Sequence, residues 1–168
     1  MQNQTKNILT MTILIASMFA SEFQLKSTEH ENKTLTFIQP EINIKSKDGF
    51  TRLTTPEKGS TIDEGMPELP VFTSFFQMDV GISYDVNYSV ISSHVVENVE
   101  IYPYQGEPII GMERPFLKNI NFYNSNTNYP ETKLTVSEPM IMRDIEVGLM
   151  SLTPYEYNFW IQSLTIYD

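Results

Sequence analysis

Apolar and polar side chains alternate strictly over residues 82–90, with Tyr84 and Val86 among the apolar ones. This period of two matches the pleat of a β-strand, in which successive side chains point to opposite faces. After Lys33, no segment keeps the 3.6-residue apolar period of an amphipathic helix for more than two turns. The pattern predicts a strand at 82–90 with its apolar side chains in the core, in a chain built mainly from strands.

Other apolar segments of strand length are separated by turn signals that are rich in Gly, Pro, Asn and Asp. Strands are expected at 71–78, 95–101, 117–123, 134–137, 141–152 and 161–167, the first of them buried on both faces and the second broken near Asn98. Turns are expected at 47–49, 64–67, 106–108 and 124–128. Many short strands with this punctuation predict an all-β sandwich or barrel.

The first 20 residues have the organisation of a secretory signal peptide. A single charge, Lys6, precedes an apolar run from Ile8 to Ala20, which is shorter than the roughly 20 residues that span a membrane. We therefore predict a signal peptide at 1–20, a flexible polar lead-in at 21–34, and a folded domain at 35–168 of a secreted or periplasmic protein. The alternative is an apolar N-terminal strand or helix of a cytosolic protein.

Composition excludes several classes of function. The 168 residues include no cysteine, and acids outnumber Lys and Arg by 21 to 11, which gives a net charge of −10. Without cysteine, this chain has no disulfide, thiolate metal site or cysteine nucleophile. With this negative net charge, the sequence shows no basic patch that would bind nucleic acid or an anionic membrane. We expect no nucleic-acid partner, and no membrane association once the leader is removed.

The polar residues form no recognisable catalytic or metal-binding pattern. Ser92, His94 and Glu97 are too close in sequence for the usual geometry of a catalytic triad. The acid pair Asp63 and Glu64 is not part of a calcium-loop spacing, so solvated charge is the better interpretation. The glycines are scattered and form no phosphate-binding loop. We therefore predict no catalytic residue, no metal site and no cofactor.

Four short motifs carry more information than the composition. They are Gly-Met-Pro-Glu-Leu-Pro-Val at 65–71, Ile-Tyr-Pro-Tyr-Gln at 101–105, Tyr-Pro at 129–130 followed by Arg-Asp at 143–144, and Leu-Thr-Pro-Tyr-Glu-Tyr-Asn at 152–158. Gly65 permits a turn conformation that other residues avoid, and Pro67 keeps the following backbone extended. Pro154 is expected to end a strand, with Tyr155 and Tyr157 near a sheet edge.

In their order and spacing, these motifs resemble the propeptide domain of gingipain-type cysteine peptidases (peptidase family C25), over roughly residues 35 to 168. The positions that carry the resemblance are structural ones: Gly65, Pro67, Leu69, Pro70, Pro103, Gln105, Pro130, Arg143, Pro154, Tyr157 and Asn158. The resemblance implies a jelly-roll-like β-sandwich that covers the active-site cleft of a secreted peptidase. It also implies that the domain assists folding and maintains latency until proteolysis removes it. The implied partner is the cognate catalytic domain, in cis or in trans.

In that family, a basic side chain on a surface loop can occupy the S1 pocket of the peptidase. The candidates here are Arg114, which precedes Pro115 in a loop, and Lys118. A guanidinium suits such a pocket because it can pair with a carboxylate through two hydrogen bonds. The alternative interpretation of Arg114 is a solvated loop arginine. Arg143 is expected within a strand, paired with an acid on the sheet surface.

The sequence departs from the family pattern because no catalytic domain and no cysteine follow before Asp168. The chain is then a fragment of a longer peptidase, a stand-alone prodomain acting in trans, or a domain reused elsewhere. The alternative function is an exported β-sandwich module that binds carbohydrate or a surface through exposed aromatic rings. Its platform would consist of Tyr102, Tyr104, Tyr123 and Trp160.

Overall fold

The computed structural model describes residues 23–29, 32–56, 59–78, 86–111 and 113–168. The predicted signal peptide lies outside these residues. The described chain forms β1 Phe23–Glu29, β2 Asn32–Phe37, β3 Asn43–Lys47, β4 Phe50–Thr54, β5 Phe72–Gln77, β6 Ser93–Glu97, α1 Ile120–Tyr123, β7 Asn128–Tyr129, β8 Leu134–Val136, β9 Met140–Met142, β10 Ile145–Leu152, β11 Tyr155–Asn158 and β12 Ser163–Tyr167.

Two four-stranded antiparallel sheets form the body of the domain. One has the order β5-β10-β8, with β9 also paired to β10, and the other has the order β6-β12-β11-β7. Two antiparallel hairpins, β1–β2 and β3–β4, form separate two-stranded sheets. This architecture confirms the prediction of an all-β sandwich.

The core is formed by side chains from both four-stranded sheets. Phe72 of β5 packs with Tyr155 and Tyr157 of β11 and with Leu164 and Ile166 of β12, and each of these residues is at most 1% exposed. The prediction that the two tyrosines lie near a sheet edge is confirmed, since β11 is next to the edge strand β7, but both side chains are fully buried. Strand β11 lies between β12 and β7, and its alternate side chains point into the core.

The hydroxyl groups of these two tyrosines have hydrogen-bond partners despite their burial. Tyr157 Oη donates to the Val99 carbonyl at 3.0 Å, and Tyr155 Oη accepts from Gln39 Nε2 at 2.7 Å. A buried hydroxyl without a partner would lose its hydration uncompensated. The partners therefore allow the core to contain large aromatic side chains with polar ends.

The strand predicted at 82–90 is not observed in the part of it that the structure describes. Residues 86–90 belong to no strand, and Val86, Tyr88 and Val90 are about half exposed. They line one side of a groove of about 450 Å³ that Leu152 of β10 also lines. A period of two indicates which side chains face an apolar surface, whereas a strand also needs a backbone partner. Residues 79–85 lie outside the described residues.

A short helix replaces the strand predicted at 117–123. The side chain of Asn119 caps it, accepting a hydrogen bond from the Phe122 amide at 3.2 Å. The Tyr123 amide donates to the Asn119 carbonyl at 3.0 Å, which closes the first turn. An N-cap asparagine satisfies amides that have no partner within the helix, and this local contact outweighs the strand-like pattern.

The long strand predicted at 141–152 is a hairpin formed by β9 and β10. Its turn residues Arg143 and Asp144 have φ values of 49° and 68°. Positive φ at both central residues is typical of the type I′ turn, whose twist suits antiparallel strands. The placement of Arg143 inside a strand is therefore wrong, because it lies exposed at a hairpin tip.

The predicted lead-in at 21–34 contains β1 and the beginning of β2 instead of a flexible segment. The rings of Phe23 and Phe37, paired across this hairpin, lie 5.2 Å apart, and Phe37 also lies 5.0 Å from core residue Phe72. Two aromatic anchors therefore hold a largely polar hairpin on the domain. The polar composition of this segment predicted flexibility, and it could not reveal the contact between Phe37 and Phe72, which are far apart in sequence.

Several predicted strands and breaks are confirmed. Strands β8 and β12 lie within the segments predicted at 134–137 and 161–167, and Pro154 lies between β10 and β11 as expected. The break near Asn98 is a residue with φ 58°. Strand β5 occurs as expected, but it is buried on one face only, because Phe75 is exposed while Phe72 is buried. An antiparallel sheet commonly leaves one face to solvent.

Buried phenols make the fold sensitive to alkaline pH. Burial raises the pKa of Tyr155 and Tyr157 to about 12 and also raises the pKa of Tyr123 and Tyr129. Above pH 10 the unfolded chain loses these protons first, so we expect stability to fall as pH rises towards 12. Each phenol should contribute about 1.4 kcal/mol per pH unit in that window. Urea unfolding at a series of pH values measures how the free energy of unfolding depends on pH, and Tyr88→Phe, which removes an exposed phenol, is the control. A free energy of unfolding that stays constant above pH 10 contradicts the expectation.

Candidate functional site

A long loop leaves the domain after Gln105 and returns at Leu117; its described residues, 106–111 and 113–116, are called the clamped loop below. The Gln105 amide holds the loop closed: its Nε2 donates to the carbonyls of Pro103 at 2.8 Å and Leu117 at 2.9 Å. Its Oε1 accepts from the Leu117 amide at 2.8 Å. Because one side chain bonds to both ends, the base of the loop is rigid, as in compact surface loops with closely spaced ends.

The first two sequence motifs pair with each other beneath this loop. Pro67 and Pro103 form an antiparallel bridge, and the Gly65 amide donates to the Tyr104 carbonyl at 2.7 Å. The Asn119 amide donates back to the Gly65 carbonyl at 3.0 Å. Gly65 has φ +76°, and a Cβ there would lie 2.9 Å from the Asn119 nitrogen. The motifs therefore form the platform on which both ends of the loop rest.

The far end of the clamped loop is apolar and exposed. Ile109 is about half exposed and Ile110 is fully exposed, and Gly111 follows them with φ +80°. Phe116, on the returning arm, is also about half exposed although its ring contacts Phe50 and Tyr102. Exposed apolar side chains grouped on one projection are typical of a surface that binds another protein.

Arg114 lies on the returning arm of the clamped loop. Its Nη2 pairs with Glu64 Oε1 at 2.8 Å, and its side chain keeps about a third of its exposure. Gly106 passes directly below this pair with φ +72°, and a Cβ there would overlap the Glu64 carboxylate. An exposed ion pair of this kind contributes about 0–1 kcal/mol, so the guanidinium can exchange Glu64 for another carboxylate at small cost.

Lys118 has different surroundings from Arg114. Its Nζ donates to Glu100 Oε1 at 2.8 Å and lies 4.4 Å from the ring centroid of Tyr123 and 4.8 Å from that of Phe159. A cation surrounded by a carboxylate and ring faces is held in place by the domain itself. This contact fixes the backbone one residue after the Gln105–Leu117 clamp.

We expect Lys118→Ala to destabilise the domain by about 2 kcal/mol, because Glu100 loses its charged hydrogen bond and two rings lose their cation. Urea unfolding measures the change. Lys45→Ala on exposed strand β3 is the matched control, with an expected change within about 0.5 kcal/mol. Equal stability of the two variants would show that the Lys118 contacts contribute nothing.

The remaining motif residues lie in the body of the domain. Leu69, Pro70, Pro154 and Tyr157 are buried. Asn158 is also buried, and its Nδ2 donates to Asn128 Oδ1 at 2.7 Å and to Asn126 Oδ1 at 3.0 Å. This contact ties the asparagine-rich loop at 124–128 to the end of β11. Pro130 follows a cis peptide bond after buried Tyr129.

The four aromatic residues of the alternative binding platform do not form one surface. Tyr123 is buried, and Tyr102 is covered by the Arg52 guanidinium, 3.6 Å above its ring centroid. Tyr104 donates to Glu107 at 3.2 Å, whereas Trp160 is 64% exposed. These positions give no set of coplanar exposed rings, so the alternative finds no support in the geometry.

The described residues offer no further candidate for a metal site or a membrane-spanning helix. No group of three or more His, Asp or Glu side chains there could hold a metal ion. His94 is exposed, and its Nδ1 lies 3.9 Å from Asp168 Oδ2. Among the same residues, none forms a helix long and apolar enough to cross a membrane.

The fold and the loop together define a β-sandwich domain with a surface loop that is held at its base and exposes apolar side chains and Arg114. The chain belongs to the Propeptide_C25 family, whose model matches residues 16–168. It is 29% identical to gingipain R1 of Porphyromonas gingivalis over 132 residues, or 74% of this chain and 13% of that protein. It is 24% identical to gingipain R2 of the same organism over 131 residues, or 17% of that protein.

Two solved structures share the fold. A complex of the pro- and mature domains of RgpB from P. gingivalis superposes with a TM-score of 0.72 at 22% identity, covering 87% of this chain and 79% of that one. A structure concerned with zymogenic latency of gingipain K from the same organism gives a TM-score of 0.71 at 16% identity, covering 88% of each chain. The chain spans less than a fifth of the curated relatives it matches.

Proposed function

We propose that this domain keeps a gingipain-type cysteine endopeptidase latent by covering its active-site cleft, assists the folding of that peptidase, and is removed by proteolysis. The observation that carries the proposal is the family match over residues 16–168. The clamped loop supports it, because an apolar tip and a nearby arginine on a rigid base suit insertion into a cleft. Rigidity lowers the entropic cost of binding.

Arg114 is the residue that we propose to enter the S1 pocket of the peptidase. Its guanidinium can leave Glu64 for a carboxylate of the pocket, because Glu64 is half exposed and water can replace the guanidinium there. Lys118 is a weaker candidate because its amine contacts aromatic rings as well as Glu100, although its side chain is as exposed as that of Arg114. Arg52 is not a candidate, because its guanidinium lies over the Tyr102 ring and pairs with Glu68 beneath the clamped loop.

We further propose that the chain is exported, with residues 1–20 as its signal peptide, and that it acts on a catalytic domain in cis or in trans. Tethering in cis would supply the domain at an effective concentration of about millimolar. A free domain would need higher intrinsic affinity to inhibit equally well. The mass of the exported chain tests the leader: loss of residues 1–20 is expected, and an intact N-terminus would contradict the signal peptide.

The test of function uses the purified chain with the mature domains of gingipain R1 and gingipain K. We expect slowed hydrolysis of a small peptide substrate and a complex that co-elutes on a sizing column. Chymotrypsin, whose hydrophobic S1 pocket does not suit an arginine, serves as the control for effects that do not depend on the loop. No inhibition and no complex with either cysteine peptidase would contradict the proposed function.

A further inference from the structure

We propose that Pro115 makes the clamped loop an inhibitor instead of a substrate, because it turns the bond after Arg114 into one that a peptidase cannot readily hydrolyse. This inference rests on the proposed function and adds a residue to it. An arginine that binds in an S1 pocket accepting arginine otherwise places the peptide bond after it in position for cleavage. The inhibitory loop therefore needs a feature that protects the bond between residues 114 and 115.

The protection follows from the chemistry of the proline nitrogen. Cysteine-peptidase hydrolysis breaks the C–N bond: the thiolate adds to the Arg114 carbonyl carbon, the amine of residue 115 leaves with a proton from the catalytic acid, and water then releases the Arg114 carboxylate. In Pro115 the amide hydrogen is replaced by the ring carbon Cδ. The ring crowds the side from which the acid delivers its proton, so the nitrogen leaves less readily than that of another residue.

The bond between Arg114 and Pro115 is accessible, although the returning arm of the clamped loop is held in place. Both Arg114 and Pro115 are exposed, so a cleft can reach the bond. Proline also disfavours the helical region for the preceding residue, which keeps Arg114 near the extended backbone that substrates adopt in strand-like binding. Two and three residues later, the Gln105 clamp and the Lys118 contacts hold the returning arm.

The experiment compares wild type with Pro115→Ala, each incubated with the mature domain of gingipain R1 and, separately, with trypsin, whose S1 pocket also accepts arginine. Mass spectrometry follows the fragment that ends at Arg114. We expect wild type to stay intact at this bond. Cleavage of Pro115→Ala there should be faster by on the order of 100-fold, the lower end of what positioned proton transfer contributes.

Pro108→Ala is the matched control, because Pro108 is an exposed proline of the same loop that does not follow a basic residue. It should match wild type at the 114–115 bond, and a double variant with Arg114→Ala and Pro115→Ala should not be cut there. Circular dichroism melting checks that each variant is folded. For gingipain R1, inhibition by Pro115→Ala should begin near the wild-type level and then decay as the bond is cut.

The outcomes separate this inference from the proposed function. If folded Pro115→Ala stays intact at the 114–115 bond with both peptidases, the role of Pro115 is overturned whether or not inhibition is seen. If wild type fails to inhibit but Pro115→Ala is cut by trypsin after Arg114 while wild type is not, the protection by Pro115 stands and the proposed function fails. Equal cleavage of wild type and variant also overturns the inference.

Discussion

Replacing Arg114 with alanine is expected to weaken inhibition of an arginine-accepting cysteine peptidase by about 30-fold or more, equivalent to about 2 kcal/mol. The guanidinium would exchange Glu64 for a carboxylate of the pocket, and a charged pair that becomes desolvated there has far more effect than the exposed one it replaces. The measurement is the inhibition constant of the variant against that of wild type. Stability should change little, because the side chain lies at the surface of the loop.

Arg143→Ala is the matched control for this experiment. Arg143 is also an exposed arginine in a turn, but it lies at the tip of the β9–β10 hairpin and not in the clamped loop. We expect its inhibition constant to equal that of wild type within error. If Arg114→Ala inhibits as strongly as wild type, the assignment of Arg114 to the S1 pocket is wrong although family membership stands. A large loss for Arg143→Ala would move the contact to the hairpin tip.

The second large effect is expected on folding, from Gly65→Ala. This position has φ +76°, and an added Cβ would lie 2.9 Å from the backbone nitrogen of Asn119 and 3.3 Å from the Lys118 carbonyl carbon. Backbone atoms cannot rotate away as a side chain does, so the platform beneath the clamped loop must shift. We expect a loss of about 3 kcal/mol in the free energy of unfolding, the upper end of the cost of a strained backbone site. Urea unfolding monitored by tryptophan fluorescence measures it.

Gly111→Ala separates the two causes of that loss. Gly111 has a similar φ of +80°, but a Cβ there meets nothing within 4 Å. Its variant should lose only the conformational part, about 1 kcal/mol. Equal losses at the two glycines would mean that contact with Asn119 and Lys118 is unimportant. In that case the platform would be less rigid than its hydrogen bonds indicate.

Features that depend on nearby residues could be predicted from the sequence. The strand-rich class follows from short apolar segments and turn residues, the break after β10 from Pro154, and the turn at Gly65 from the conformational freedom of glycine. The motif order also indicated the family that the comparison shows. The local exceptions were Asn119, whose capping bond produces a helix, and residues 86–90, which alternate without a partner strand.

Only the tertiary structure decided how the candidate loop is built. Gln105 bonds to a residue 12 positions away and Arg114 to one 50 positions away, whereas Lys118 is enclosed by Glu100, Tyr123 and Phe159. The local pattern separates the two basic residues only in that Arg114 precedes Pro115 whereas Lys118 lies in a segment that was predicted to be a strand; it does not show which side chain contacts which partner. Their different roles arise because separate parts of the chain meet there, and contacts between residues far apart in sequence leave no period that a local pattern can reveal.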